Sequence, residues 1–254
     1  LVVLTSYSGS TEEVLSCALE AMEKKAKIII LTKGGTLAEL AIEHKFPAYI
    51  FDGKLNPAGV PRLGNGYTIL GLFGLLSKLK ILTIEEQEIT DAITRLDEKV
   101  SDLKKIGMQD SGLFTQHIPI VIAAEHLTGN AQILRNQFNE TSKTFSSLFL
   151  IPDLNHHLME GLQHPETLHQ TGLFVFINSD LYSQSIQKRF AITEEVVRKQ
   201  KVATYNINLM GSTKLAQVLE AYTLSSLATY HLATLYGVDP SAIPWVDYFK
   251  SKLA

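Results

Sequence analysis

The feature that most constrains this chain is a series of short apolar runs recurring between stretches of helical periodicity. Leu1–Leu4, Lys27–Thr32, Phe46–Phe51, Ile118–Ala124, Thr144–Leu150, Gly172–Ile177 and Lys201–Ile207 are rich in β-branched and aromatic residues. Near-continuous apolar runs of this length read as strands buried on both faces, as in a parallel sheet. The intervening stretches Glu12–Leu19, Leu37–His44, Asn130–Glu140 and Ser183–Lys199 carry apolar residues at helical spacing. Strand and helix in alternation define an α/β fold, parallel sheets flanked by helices with right-handed connections. Ligands in such folds lie at the carboxyl ends of the strands.

The middle of the chain breaks this rhythm and divides it. Asn56–Arg62 holds two prolines and a glycine, so it reads as a loop delivering Arg62 to the next element. An apolar helix is expected over Tyr67–Ile81, and Thr83 caps a charged helix running to about Lys105. The resulting division is a first subdomain over 1–82, a connecting helix over 83–110 and a second subdomain over 111–254. The second closes with a long helix from Thr213 to Leu235 and a short one after Pro244. The similar order of the two halves points to a structural duplication, although no residue-level repeat accompanies it.

The first loop carries the clearest binding signal. The strand at Leu1–Leu4 stops in Thr5-Ser6-Tyr7-Ser8-Gly9-Ser10-Thr11, and Glu12-Glu13-Val14-Leu15 opens a helix. Backbone N–H groups and the hydroxyls of Ser6, Ser8, Ser10 and Thr11 therefore gather at a helix N-terminus, which favours an anion such as phosphate. Gly9 allows close approach of the main chain. A plain N-cap is the competing reading, but a cap needs one such residue and four are clustered here. No P-loop lysine follows, and the glycine spacing is not that of a dinucleotide fingerprint.

Composition narrows the partners. The net charge of −3 across 254 residues, with no basic stripe, argues against nucleic acid and leaves no polybasic membrane anchor. Apolar runs are interrupted well short of bilayer thickness and no signal-peptide pattern is present, so the chain reads as soluble, with no membrane partner. Cys17 is the only cysteine, which precludes an intramolecular disulfide and points to a reducing, cytoplasmic compartment. Its place in the first helix is that of a buried small residue rather than a nucleophile.

A carboxylate and an imidazole supply the chemistry. Glu140 ends a predicted helix in Asn139-Glu140-Thr141-Ser142-Lys143, and His156 stands in the proline-led loop Ile151-Pro152-Asp153-Leu154-Asn155-His156-His157-Leu158-Met159-Glu160-Gly161. One base and one separate acid–base group are what an aldose–ketose isomerisation requires. The first moves a proton between adjacent carbons and the second opens the sugar ring, and neither step needs a cofactor.

Ser6-Tyr7-Ser8-Gly9-Ser10-Thr11 resembles the Ser-x-Ser-Gly-x-Thr phosphosugar loop of sugar isomerase (SIS) domains. The Glu140 and His156 segments resemble the Asn-Glu-Asn-x-Lys-like and Pro-Glu-Leu-Asn-His-Asn-Glu elements of the bifunctional phosphoglucose/phosphomannose isomerase family within that superfamily. Pro61-Arg62, Gly211-Ser212-Thr213-Lys214-Leu215-Ala216, Tyr236-Gly237-Val238-Asp239-Pro240-Ser241 and Asp247-Tyr248-Phe249-Lys250 resemble further family elements in order along the chain. The resemblance implies two SIS-type, flavodoxin-like subdomains in a homodimer acting on hexose 6-phosphates. It implies that Glu140 shuttles the proton through a cis-enediol, and that His156 opens the ring from the partner subunit. Arg62 would stabilise the enediolate and Lys250 would contact the ring oxygen or a hydroxyl. Ser6, Ser8, Gly9, Ser10 and Thr11 would hold the phosphate, and Ser241 would leave room for either configuration at carbon 2.

The chain departs from the family pattern in places. Ala123-Ala124-Glu125-His126 replaces a glycine-bearing turn, Thr141 replaces the second Asn, Asp153 replaces the Glu of the His156 segment, and His157-Leu158 replaces Asn-Glu. A glycine-rich strand–loop–helix unit expected ahead of Leu1 is not in the sequence, so the first subdomain is expected to be incomplete at its N-terminus. Plainer readings stand beside these roles. Glu140 could pair with Lys143, Arg62 could form a surface ion pair, and Lys250 could be solvated. His156 and His157, with His164 and His169 nearby, raise a zinc site, but adjacent residues of an extended chain point in opposite directions. His231 reads as a core or interface histidine. At the level of the whole chain, the alternatives are a non-catalytic SIS sugar-phosphate sensor and a SIS isomerase for another phosphosugar, such as an amino sugar. A sensor has no use for the Glu140, His156 and Arg62 set.

Overall fold

The computed structural model describes residues 1–253. The chain divides into two compact units, Leu1–Glu86 and a second that begins at Gln87.

The first unit runs β1 (Val2–Ser6), α1 (Glu12–Glu23), β2 (Ile28–Thr32), α2 (Gly35–Glu43), β3 (Ala48–Ile50), a 3-10 turn at Pro61–Leu63 and α3 (Asn65–Lys78). Its strands form a parallel sheet in the order β1-β2-β3, with Val2 opposite Ile28 and Ile30 opposite Ala48. β2 is buried along its whole length, as its uninterrupted apolar sequence requires. Leu4, Ile28 and Ile30 pack with Ala18, Ala21 and Leu37 from the helices. Cys17, expected inside, is exposed. Ala18 and Ala21 are the residues α1 buries, and a residue preceding Ala18 is turned about 100° away from that face. Phe46 and Pro47 also fall outside the strand. The N–H of Phe46 bonds Ala41 O at 2.9 Å after Lys45 turns left-handed at φ 55°, so these residues close α2.

The second unit contains α4 (Glu86–Ser111), β4 (Ile118–Ala123), α5 (Thr128–Glu140), β5 (Ser147–Leu150), α6 (Leu168–Thr171), β6 (Gly172–Asn178), α7 (Gln184–Lys199), β7 (Ala203–Asn208), α8 (Lys214–Tyr236) and α9 (Pro244–Leu253). Its sheet is parallel throughout, in the order β5-β4-β6-β7. Val121, Ile122, Phe138, Leu154, Leu173 and Val175 are buried at its centre. The expected cap at Thr83 is corrected, because α4 starts three residues later and extends to Ser111. Gly107 does not stop it. A Cβ there would stand 3.1 Å from Ala228 N, so the glycine serves the close approach of α4 to α8. Thr144–Ser146 stays outside β5, with the Ser142 hydroxyl donating to Phe138 O at 2.8 Å and lying 3.1 Å from Thr144 Oγ1. α8 has a regular cap at each end: Thr213 Oγ1 accepts from Ala216 N at 3.2 Å, and Gly237 is left-handed at φ 65°. Among the described residues no helix is long and apolar enough to cross a membrane.

Candidate active site

The hydroxyl-rich loop sits where β1 ends, and its own side chains hold it. Ser6 is buried. Its Oγ accepts from Gly9 N at 3.0 Å and lies 2.8 Å from Thr11 Oγ1. Thr11 occupies the N-cap position of α1, yet its hydroxyl makes no capping bond. Ser8, Ser10 and Thr11 are exposed, with the N–H of Ser10 donating to Ser8 Oγ at 3.3 Å. The loop therefore has an inner brace, Ser6, and an outer rim of hydroxyls beside the first turn of α1. Glu12 and Glu13 complement the helix dipole in that turn.

A second loop buttresses the first. Lys33 N donates to Tyr7 O at 3.1 Å and Leu37 N to Gly9 O at 3.0 Å. Gly9 has φ +76°, and a Cβ on it would fall 1.7 Å from Gly34 O; one on Gly35, at φ +65°, would lie 2.6 Å from Ser8 O. The two backbones thus touch directly. Gly9→Ala is expected to cost ~3 kcal/mol of stability, read as a lower denaturant midpoint for the first unit. Gly66→Ala should leave that midpoint unchanged or slightly raised, since nothing lies within 4 Å of the added methyl.

Arg62 is linked to the same loop within this unit. It is 9 % exposed in the 3-10 turn, with Pro61 at its start. Asn56, on the preceding segment, donates through Nδ2 to Tyr7 Oη and to Val60 O, both at 2.8 Å. Tyr7 also packs on Phe51, with ring centroids 5.4 Å apart, and fills the space a Cβ on Gly64 would need, 2.2 Å from its ring. Lys33 Nζ lies 5.9 Å from the Tyr7 centroid. Tyr7 is thus the side chain joining the hydroxyl loop to the Arg62 segment.

In the second unit the expected residues divide between the two ends of the sheet. Glu140 is the last residue of α5, which runs back from the end of β4 to the start of β5. Asn139 Nδ2 donates to Ser146 O at 3.4 Å there, just ahead of β5. Lys143 Nζ donates to Glu140 O and to Asp239 O, each at 2.7 Å, which brings the Asp239–Ser241 turn to the same end. Ser241 N in turn bonds Asp239 Oδ1 at 2.7 Å. Lys250 is exposed on α9.

His156 stands at the other end. It closes a 3-10 turn, Asp153–His156, after β5 has finished, and Ile151 N bonds Ala123 O at 3.0 Å at the tip of β4. The four residues of β5 between the two places span about 13 Å along the strand. Asn155 anchors the turn by donating to Thr193 Oγ1 at 2.7 Å, while His156 itself is exposed. Its neighbour His157 faces Asp153, with Nε2 to Oδ2 at 3.6 Å. One chain therefore does not bring His156 to its own Glu140.

The crevice between β4 and β6, where the strand order reverses, is spanned by side chains. His126 Nε2 and Ser179 Oγ converge on Gln217 Oε1 at 3.0 and 2.6 Å, and Gln217 Nε2 donates to Asp180 Oδ1 at 2.9 Å. Glu125, in the departing turn, accepts from Ser183 Oγ at 2.6 Å, a bond that holds its carboxyl below the usual range. Cavities of about 250 Å³ beside α4 and Gly211, and about 440 Å³ between the ends of β6 and β7 and α7, are lined by neither Glu140 nor His156. His231 is half-buried on α8, and burial lowers its pKa. Sequence reasoning passed over Lys33, the Gly34-Gly35 brace, Asn56 and Gln217. The glycine pair after β2 was the visible signal, whereas the Tyr7–Asn56 bond joins residues 49 positions apart and leaves no local trace.

Solved structures share this fold. Tagatose-6-phosphate ketose/aldose isomerase from Escherichia coli superposes with a TM-score of 0.70 at 15% identity, covering 96% of this chain and 71% of that one. Glucosamine-6-phosphate deaminase from Thermotoga maritima gives 0.68 at 13%, covering 95% and 72%. These neighbours define the class as an α/β fold of parallel sheets flanked by helices. Residues 111–253 match the family model described as the bacterial phospho-glucose isomerase C-terminal SIS domain, and the chain belongs to that family. Two curated relatives, from Caldicellulosiruptor bescii and Aquifex aeolicus, are each named bifunctional phosphoglucose/phosphomannose isomerase. Each is 28% identical to this chain over its full length, which covers 76% of theirs.

Proposed function

We propose that this protein is a cofactor-free isomerase interconverting glucose 6-phosphate and mannose 6-phosphate with fructose 6-phosphate. The observation that carries the reading is the end-to-end match to proteins bearing the bifunctional isomerase name. The hydroxyl rim of Ser8, Ser10 and Thr11 gives it a physical basis. Neutral donors and unpaired helix N–H groups suit a dianionic phosphate without requiring a lysine.

The roles divide as follows. Ser6 and Gly9 shape the loop, and Ser8, Ser10 and Thr11 take the phosphate. His156 gives a proton to the ring oxygen as the bond from carbon 2 to that oxygen breaks, and the carbon 2 hydroxyl loses its proton to solvent as the ketone forms. The Glu140 carboxylate then removes a proton from carbon 1 of the open ketose to leave a cis-enediolate, the hydroxyl proton passes from oxygen 1 to oxygen 2 through the cis-enediol, and Glu140 returns its proton to carbon 2 as the carbon 1 carbonyl forms. Delivery to either face of carbon 2 yields the glucose or the mannose configuration, and Ser241 is the small side chain assigned to that position. The Arg62 guanidinium offsets the negative charge developing on the enediolate oxygens, a task suited to a fixed, buried cation. Lys250 contacts the ring oxygen or a hydroxyl. Because His156 and Glu140 lie at opposite ends of one sheet, the active form is a homodimer in which His156 serves the partner's Glu140. Cytoplasmic localisation accords with this substrate class.

Incubation with fructose 6-phosphate should produce both aldose phosphates. Binding of the phosphosugar with no turnover would replace this reading with that of a sensor, and turnover of an amino-sugar phosphate alone with that of a different isomerase.

A further inference from the structure

We infer that Lys143 is a positioning residue whose ammonium ties the end of α5, bearing Glu140, to the Asp239–Ser241 turn, and so sets how the site presents carbon 2 for protonation. The inference rests on the function proposed above. Lys143 takes φ +56°, the left-handed conformation that Lys25, Lys45, Lys80 and Lys201 also take just past their helices, and it is the hydrogen bonding of its ammonium that sets it apart. That turn sends the side chain back over the helix end. Nζ donates to Glu140 O at 2.7 Å, to Thr141 O at 3.4 Å and to Asp239 O at 2.7 Å.

A lysine capping a helix C-terminus would account for the first two bonds. It does not account for the third, which reaches 96 residues along the chain. The receiving segment is itself shaped to offer that carbonyl. Gly237 ends α8 in the left-handed region at φ 65°, and Ser241 N closes onto Asp239 Oδ1 at 2.7 Å. Val238 N bonds Ala233 O at 3.0 Å, fixing the turn's near side to α8. The Asp239 carbonyl therefore meets, from a closed turn, an ammonium that also holds the Glu140 carbonyl. Charge-assisted bonds to carbonyls are stronger than neutral ones, so a single ammonium can hold both segments in register. The carboxylate that moves the proton and the Ser241 hydroxyl then keep a constant separation, on which the choice of face depends.

The test compares Lys143→Met and Lys143→Arg with the unmutated chain. It measures initial rates of glucose 6-phosphate and mannose 6-phosphate formation from fructose 6-phosphate, hydrogen exchange over 238–241, and the melting temperature. Lys143→Met should lower kcat/KM about tenfold, as expected of a small misplacement. It should also change the ratio of the two initial rates by about threefold and speed exchange over 238–241. Lys143→Arg should restore most of each. A lower melting temperature with an unchanged ratio and unchanged exchange would reduce Lys143 to a helix cap and overturn the inference. If the methionine variant does not fold, Lys143→Gln carries the same comparison. Absence of turnover in the unmutated chain would refute the proposed function instead, and the tether would then stand or fall on hydrogen exchange alone.

Discussion

Glu140→Gln is expected to lower kcat for fructose 6-phosphate by about a thousandfold or more, the scale of losing a general base. The amide keeps the size and shape of the carboxylate but cannot accept the proton from carbon 1. Phosphosugar affinity should stay within about threefold of the original, because the loss falls on the transition state and not on ground-state binding. The loop proposed to take the phosphate is built independently, from Ser6, Gly9 and the Gly34-Gly35 brace. Stopped-flow turnover alongside calorimetric titration with fructose 6-phosphate separates the two quantities. Retention of more than about a tenth of kcat would remove Glu140 from the role of base.

The second large effect concerns mixed dimers. His156→Ala alone should be nearly inactive on the ring-closed substrate, and so should Glu140→Gln. Combined in equal amounts and allowed to exchange subunits, they should recover activity. Half of the dimers then pair one variant with the other, and each such dimer holds one intact site, so about a quarter of the original rate is expected from a two-fold symmetric assembly. The reason is topological. The chain places Glu140 where the strands of its sheet begin and His156 where they end, with the length of β5 between. If both residues acted within one chain, every site in the mixed dimer would lack one of them and no rate would return. That result would dismiss the shared site while leaving the roles of the two residues intact.

Much of this architecture is legible in the linear order of residues. A fully buried parallel strand has no polar face to alternate with, so β2 and β6 announce themselves as unbroken apolar runs. The hydroxyl loop was equally legible, since four Ser or Thr side chains around one glycine are an unusual demand for a helix start. Other features were misread for identifiable reasons. Cys17 has apolar neighbours along the chain, and only the rotation set by Ala18 and Ala21 turned it outward. Thr83 followed by two acids looked like a capping box, yet the helix begins at Glu86. The same helix was expected to end near Lys105 and continues through Gly107, a point of close contact, to Ser111.

The sequence by itself determined the α/β class, the order of elements, the candidate phosphate loop and the pair of groups suited to proton transfer, because these depend on local periodicity and on side-chain chemistry. Tertiary structure alone decided which hydroxyl braces the loop and which stay exposed, how Tyr7 joins that loop to the Arg62 segment, and that Glu140 and His156 face opposite ends of one sheet. Sixteen positions of sequence separation carry no direction in space. A helix that returns and a strand that advances turn them into opposite edges.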